Sequence, residues 1–262
     1  MEVTWNPWHG CTKYSEGCRN CYVYRQDEMF GRDSTICKKT NDFNLPIKKD
    51  RRGNYKIPSG SLIMTCFSSD FLLSEADSWR DECLEMMKTR SDCMFYFFTK
   101  RIERLNFSVP DNVIVGCTCE NQKMADYRLP IFNKLNIKYK TIILAPMLEK
   151  MDISKYLGSD IYEVNVSGES GSSQQIRAQQ IRAQQIRAQQ IRAQQIRAQQ
   201  VRALNYDWVL DIRNQCIKAN VNFGFHQTGA RFIKDGKEYL IERKYQLSQA
   251  KKANIDFMCK KA

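Results

Sequence analysis

Residues 61–100 read SLIMTCFSSDFLLSEADSWRDECLEMMKTRSDCMFYFFTK, and the fold turns on this stretch. Two apolar runs, SLIMTCF (61–67) and MFYFF (94–98), enclose a charged segment of helical composition at 74–90. Short apolar runs rich in β-branched and aromatic residues read as strands. The segment between them opens on Ser74 as its expected N-cap, with Glu75 and Asp77 in the first turn, where acids complement the helix dipole. A helix between two strands is the crossover that parallel neighbours need.

Working outward, the pattern repeats. NVIVGCTC (112–119), TIILAP (141–146), IYEVNVSG (161–168) and VNFGFH (221–226) read as further strands. NQKMADYRLPIFNKL (121–135) reads as a helix that Pro130 should kink or restart. LNYDWVLDIRNQCIKAN (204–220) carries Trp208, Val209, Ile212 and Cys216 at helical spacing. Strands this apolar fit burial on both faces, and their alternation with helices predicts an α/β class. A full or partial (β/α) barrel is the first expectation and an open doubly wound sheet the second. Either gathers function at the C-terminal strand ends. That singles out Ser68, Ser69 and Asp70; Thr99 and Lys100; Glu120 and Asn121; Gly168, Glu169 and Ser170; and Gln227 and Thr228.

A chain of 262 residues with 42% hydrophobic content suits one large domain, or one with an appendage. No apolar run is long enough for a bilayer and the start lacks an apolar secretion segment, so a cytoplasmic location, away from membranes, is expected. In that reducing setting the 11 cysteines read as buried thiols or metal ligands. The formal charge is +12. Residues 38–56 hold seven Lys/Arg against two Asp, 174–203 hold six Arg and no acid, and 231–262 hold nine Lys/Arg against four acids. These three segments are the expected contacts to nucleic acid, although such clusters also serve as plain solvated surface.

The strongest chemical signal is TWNPWHGCTKYSEGCRNCYVYR (4–25). Cys11, Cys18 and Cys21 form C-x6-C-x2-C amid turn formers, so one loop can wrap three thiolates around one centre. A [4Fe–4S] cluster usually takes four thiolates. With three, one iron stays open to an outside ligand such as S-adenosylmethionine (SAM). Two other readings stand beside this one: structural zinc with His9 as fourth ligand, and unmetallated thiols. The spacing departs from the C-x3-C-x2-C usual in radical SAM enzymes.

TWNPWHGCTKYSEGCRNCY, SLIMTCFSSDFLLSEADSW, FTKRIERL, VGCTCENQ, SGESG and NYDWVLDIRNQC occur here in order. In this the chain resembles a family of phage-encoded and bacterial three-cysteine proteins considered related to radical SAM enzymes, with spore photoproduct lyase as a distant relative. The resemblance implies a partial α/β barrel with the cluster at its mouth, held by Cys11, Cys18 and Cys21. It implies that Gly168, Glu169 and Ser170 form a turn contacting the SAM amino group, and that Ser68, Asp70, Thr99, Lys100 and Arg101 are matching strand-end motifs. Lys100 would meet a SAM carboxylate or a substrate phosphate. Ser167 and His226 depart from the family pattern. His226 and Gln227 join Lys100 as candidate catalytic residues.

Residues 174–203 repeat one pentapeptide, QQIRA, six times, with Val201 the single change from Ile. Five residues advance a helix 140° beyond a full turn at ~100° per residue, so the isoleucines form no stripe. A strand fares no better, because an odd period flips alternate residues. The run is expected to be an insertion dividing the α/β domain into 1–173 and 204–262, as a protruding helix of ~45 Å or a disordered arm. It offers a surface for a protein partner or a polyanion. The expected function is radical SAM-like chemistry on a nucleic acid or nucleotide-derived substrate. The alternative is a non-catalytic, metal-stabilised nucleic-acid-binding or phage–host interaction protein with a repeat arm of variable length.

Overall fold

The computed structural model describes residues 1–171 and 201–259. In chain order the strands are β1 (Glu2–Trp5), β2 (Trp8–His9), β3 (Lys38–Lys39), β4 (Leu62–Thr65), β5 (Met94–Thr99), β6 (Val113–Thr118), β7 (Tyr139–Leu144), β8 (Ile161–Ser167), β9 (Leu204–Asn205), β10 (Asn222–Gln227), β11 (Arg231–Lys234) and β12 (Lys237–Leu240). The helices are α1 (Tyr22–Met29), α2 (Asp77–Thr89), α3 (Gln122–Lys134), α4 (Tyr206–Ala219) and α5 (Arg243–Lys252). All six expected apolar runs are strands, and β1 is added to them.

Seven strands form one sheet in the order β1-β4-β5-β6-β7-β8-β10. The pairs β1–β4, β4–β5, β5–β6 and β8–β10 are parallel. Every connection steps in the same direction along the sheet. Right-handed crossovers wound this way place their helices on one face. A doubly wound sheet instead reverses at a switch point, and this order has none. The winding is that of a barrel, and β1 and β10 stand at its two open ends, as in a partial barrel.

One local expectation is corrected. Ser74 does not cap α2: residues Ser74–Ala76 form a 3-10 turn, Ala76 precedes the helix, and the Ser74 hydroxyl donates to its neighbour Glu75 at 2.6 Å. A carboxylate one residue away outcompetes the backbone amides for that hydroxyl. Pro130, expected to kink or restart its helix, lies inside α3, which runs from Gln122 to Lys134. Leu129 and Phe132, both fully buried, anchor the helix on either side of the proline. In α4 the apolar spacing holds. Val209, Ile212 and Cys216 are buried, the Asn205 side chain accepts from the Asp207 amide, and Asn220 closes the helix in a left-handed conformation.

The chain divides into two compact units. The first comprises Met1–Thr118, Asp126–Ile142 and Asp160–Tyr162. Its core is aromatic: Trp8 stacks on Phe71 at 5.4 Å, Phe71 on Phe97 at 4.5 Å, and Trp5 meets Phe95 edge-on at 5.9 Å. Each such buried ring contributes ~2–3 kcal/mol. The basic segment 38–56 is fastened to this core. The Trp5 indole donates to the carbonyls of Asp42 and Phe43. Arg90, fully buried, donates to the carbonyls of Pro46 and Ile57 and stacks on Tyr55 at 4.2 Å.

The second unit comprises Cys119–Ala125, Ile143–Ser159 and Glu163–Ala262. Val164, Val166 and Phe223 bury against each other's strands, and α4 adds its apolar face. A small sheet of order β12-β11-β9 follows, its β11–β12 pair turning at Asp235-Gly236. Both turn residues have positive φ (52° and 71°), as a two-residue hairpin requires. Among the described residues no helix is long and apolar enough to cross a membrane. The expected protruding arm, apart from its last three residues, lies outside the described residues.

Candidate functional site

In the first unit the cysteine loop follows β2 and runs into α1. Cys11 is tied down by its amide to the Ser34 carbonyl at 2.7 Å, and the Gly10 amide reaches the Ser68 carbonyl at 3.2 Å. Cys18 ends the 3-10 turn Glu16–Cys18, and Cys21 is the N-cap residue of α1. A thiolate at that position faces the positive end of the helix dipole.

The strand-end residues after β4 and β5 close on this loop. Arg101, buried, donates from Nη2 to the Thr12 carbonyl at 2.7 Å and to the Thr12 hydroxyl at 3.1 Å. Its Nη1 stands 3.1 Å from Asp70 Oδ2 and 4.0 Å from Cys11 Sγ, and its guanidinium lies over the Tyr14 ring at 4.9 Å. Asp70 accepts from the Thr99 hydroxyl (2.7 Å), the Leu72 amide (2.9 Å), the Lys100 amide (3.1 Å) and Arg101. Ser68 donates to the Trp8 carbonyl at 3.0 Å, and Ser69 donates to the Gly10 carbonyl. The Tyr24 hydroxyl donates to the Cys11 carbonyl and the Tyr22 hydroxyl to that of Phe67.

Ser68 and Asp70 therefore hold the cysteine loop in place, a positioning role. Of the TKR triplet at 99–101, Arg101 is the residue brought against Cys11, and Lys100 contributes its amide to Asp70. Burial pushes the Cys11 thiol up to about 12, and the Asp70 carboxylate acts the same way, against the opposing pull of Arg101. For Arg101, burial works against the charge, but Asp70 and the thiols outweigh it and raise its pKa.

Among the described residues no three His, Cys, Asp or Glu side chains stand close enough together to hold a metal ion. His9 has Nε2 2.7 Å from Asp27 Oδ2, within a buried group that also binds Ser34 at 2.6 Å. The fixed positive charge of Arg101 beside Cys11 opposes the burial that raises that thiol.

In the second unit, Gly168 follows β8 and packs on the end of β10. A Cβ on Gly168 would meet the Thr228 carbonyl oxygen at 2.4 Å, and one on Gly229 would meet the Glu169 backbone at 2.9 Å. Both positions therefore need glycine. Gln227 donates to the Gly168 carbonyl at 3.0 Å and accepts from Arg243 at 2.6 Å, so it ties strand ends together. Ser170 offers its carbonyl to Gln246 at 3.0 Å. His226 is exposed on β10.

Glu169, buried, holds an ion pair that the sequence did not suggest. Its Oε1 lies 2.6 Å from Arg202 Nη2, and its Oε2 accepts the Arg202 amide at 2.8 Å. Arg202 belongs to the last QQIRA-type unit. Its neighbour Val201 is buried and packs on Gly171, and the Val201 carbonyl accepts from Arg231 at 3.0 Å. Val201 and Arg202, the described end of the repeat, are thus bonded to the second unit. Val201, the position where the repeat departs from Ile, is buried.

A parallel, singly wound α/β protein with a three-cysteine loop braced by strand-end residues is the class these features define. The chain belongs to a family described as a protein of unknown function, DUF5131, which matches residues 1–256. No curated protein and no solved structure matches it.

Proposed function

We propose that this protein is an iron–sulfur protein of radical SAM type, acting on a nucleic acid or a nucleotide-derived substrate. The observation that supports this most is the bracing of the cysteine loop: Asp70, Thr99 and Arg101 close from the strand ends onto the Cys11 turn. A three-thiolate cluster, once reduced, would supply the electron that opens the sulfonium of SAM. Cys11, Cys18 and Cys21 are the residues to hold it. Arg101 offsets the thiolate charge and fixes the loop through Thr12, and Asp70 holds Arg101 in the one orientation that reaches both. On this reading an ammonium bound by Glu169 must share the carboxylate with Arg202.

The test is anaerobic purification with iron, sulfide and zinc assays and an absorbance spectrum before and after dithionite. Iron with matching sulfide, bleached by dithionite and lost in Cys18→Ala, is the expected result. A colourless protein carrying one zinc overturns it.

A further inference from the structure

A cavity of about 640 Å³ opens in the second unit among α4, β10, β11, β12 and α5. Its floor is apolar: Phe225 and Phe232 are buried with ring centroids 6.1 Å apart, and Tyr206 meets Phe232 edge-on at 5.8 Å. Its rim is aromatic and exposed, with Tyr239 at 45% and Tyr245 at 46% of full exposure. Lys234 and Lys252 line it as well, with Lys234 Nζ 5.1 Å from the Tyr206 ring. Neither lysine forms an ion pair with a described residue, and the hydroxyls of Tyr206, Tyr239 and Tyr245 have no hydrogen-bond partner among the described residues. The acid on the lining, Glu242, is offset by Lys244 at 3.6 Å.

Flat rings around an apolar floor, open hydroxyls at the edge and unneutralised cations beside them match one ligand chemistry. The rings stack a planar heterocycle, the hydroxyls read its edge, and the lysines meet an attached phosphate. The volume falls within the range of small-molecule sites. We infer that this cavity takes one nucleobase with its phosphate, from an unpaired strand or a free nucleotide. The inference takes only the nucleic-acid class of substrate from the preceding reading, and the site itself owes nothing to the cysteine loop.

The test titrates the full chain with a fluorescein-labelled single-stranded oligonucleotide, with unlabelled AMP as competitor. Tyr239→Ala and Tyr245→Ala are each expected to weaken binding about tenfold, the order of one lost base stack. Lys234→Glu, which leaves every ring in place, should weaken it and lower the salt slope by about 0.7. Displacement by micromolar AMP assigns the cavity to free nucleotides, and resistance to millimolar AMP assigns it to a strand. A chain that binds neither probe, or one whose three variants bind as the parent does, overturns the inference. Iron and sulfide are assayed on the same variants, which are expected to match the parent, so a failed cluster reading and a failed cavity reading are told apart.

Discussion

Arg101 is the residue on which the first unit's site depends. Its two nitrogens reach Asp70 and Thr12 in different directions, which a planar fork does and an ammonium does not. Arg101→Ala leaves Asp70 buried without its cation and is expected to lower stability by about 3 kcal/mol in urea unfolding. Arg101→Lys should recover part of that loss while still lowering iron retention, because the hold on Thr12 goes. Burial alternates along β5 up to Thr99, but the strand ends there, so strand period does not place Arg101: it reaches Cys11 from the turn that follows. A second residue-scale prediction concerns acid. Asp92 is held down to about 2, chiefly by the hydrogen bonds from Arg90 and Ser59. A lowered pKa contributes stability above the ordinary carboxylate range, which is lost as pH falls through about 2. Asp92→Asn should flatten the fall in thermal midpoint between pH 4 and about 2. An unchanged acid limb would place that linkage elsewhere.

At the scale of elements, Val201 and Arg202 tie the end of the repeat to the second unit. Val201 is buried and lies against Gly171, so an added methylene there enters a packed interior. Val201→Ile, which restores the repeat consensus, is expected to destabilise by ~1–2 kcal/mol through overpacking. Deleting 174–198 removes five units and keeps Val201 and Arg202, and the melting temperature should stay within about 2 °C of the parent. Deleting 174–203 removes Val201 and Arg202 together, leaves Glu169 buried without its cation, and should cost far more. Equal losses in the two deletions would show that docking of the last unit contributes nothing. The composition of QQIRA hides this, since six near-identical units do not distinguish Val201 and Arg202 from their counterparts in the other five. The β11–β12 hairpin was legible, because Asp-Gly between extended residues is a strong turn signal. It was absorbed into a basic tail, where charge was counted and periodicity was not.

At the scale of the whole molecule, strand order follows from sequence more readily than site geometry does. Six apolar runs separated by crossovers leave few ways to wind a parallel sheet, and β4 through β10 take them in order. The pairs that make the sites are long-range and polar: Arg101 with Thr12, Arg202 with Glu169, Arg90 with Pro46. No local period announces them. Charge is also a whole-molecule property, and it separates two modes of nucleic-acid binding. Deleting 174–198 removes five arginines and takes the formal charge from +12 to +7. If all five meet phosphates of a single strand, the salt slope of binding should fall by about 3.5, at roughly 0.7 per phosphate. Tyr245→Ala removes a stacking ring and no charge, so it should weaken binding at every salt concentration and leave the slope alone. Titrations between 50 and 300 mM salt, at roughly even logarithmic spacing, read both effects on one plot. Parallel lines for the deletion would remove the repeat from the polyanion surface and leave 38–56 and 231–262 to carry it. A changed slope for Tyr245→Ala would mean that its ring acts by orienting a lysine rather than by stacking.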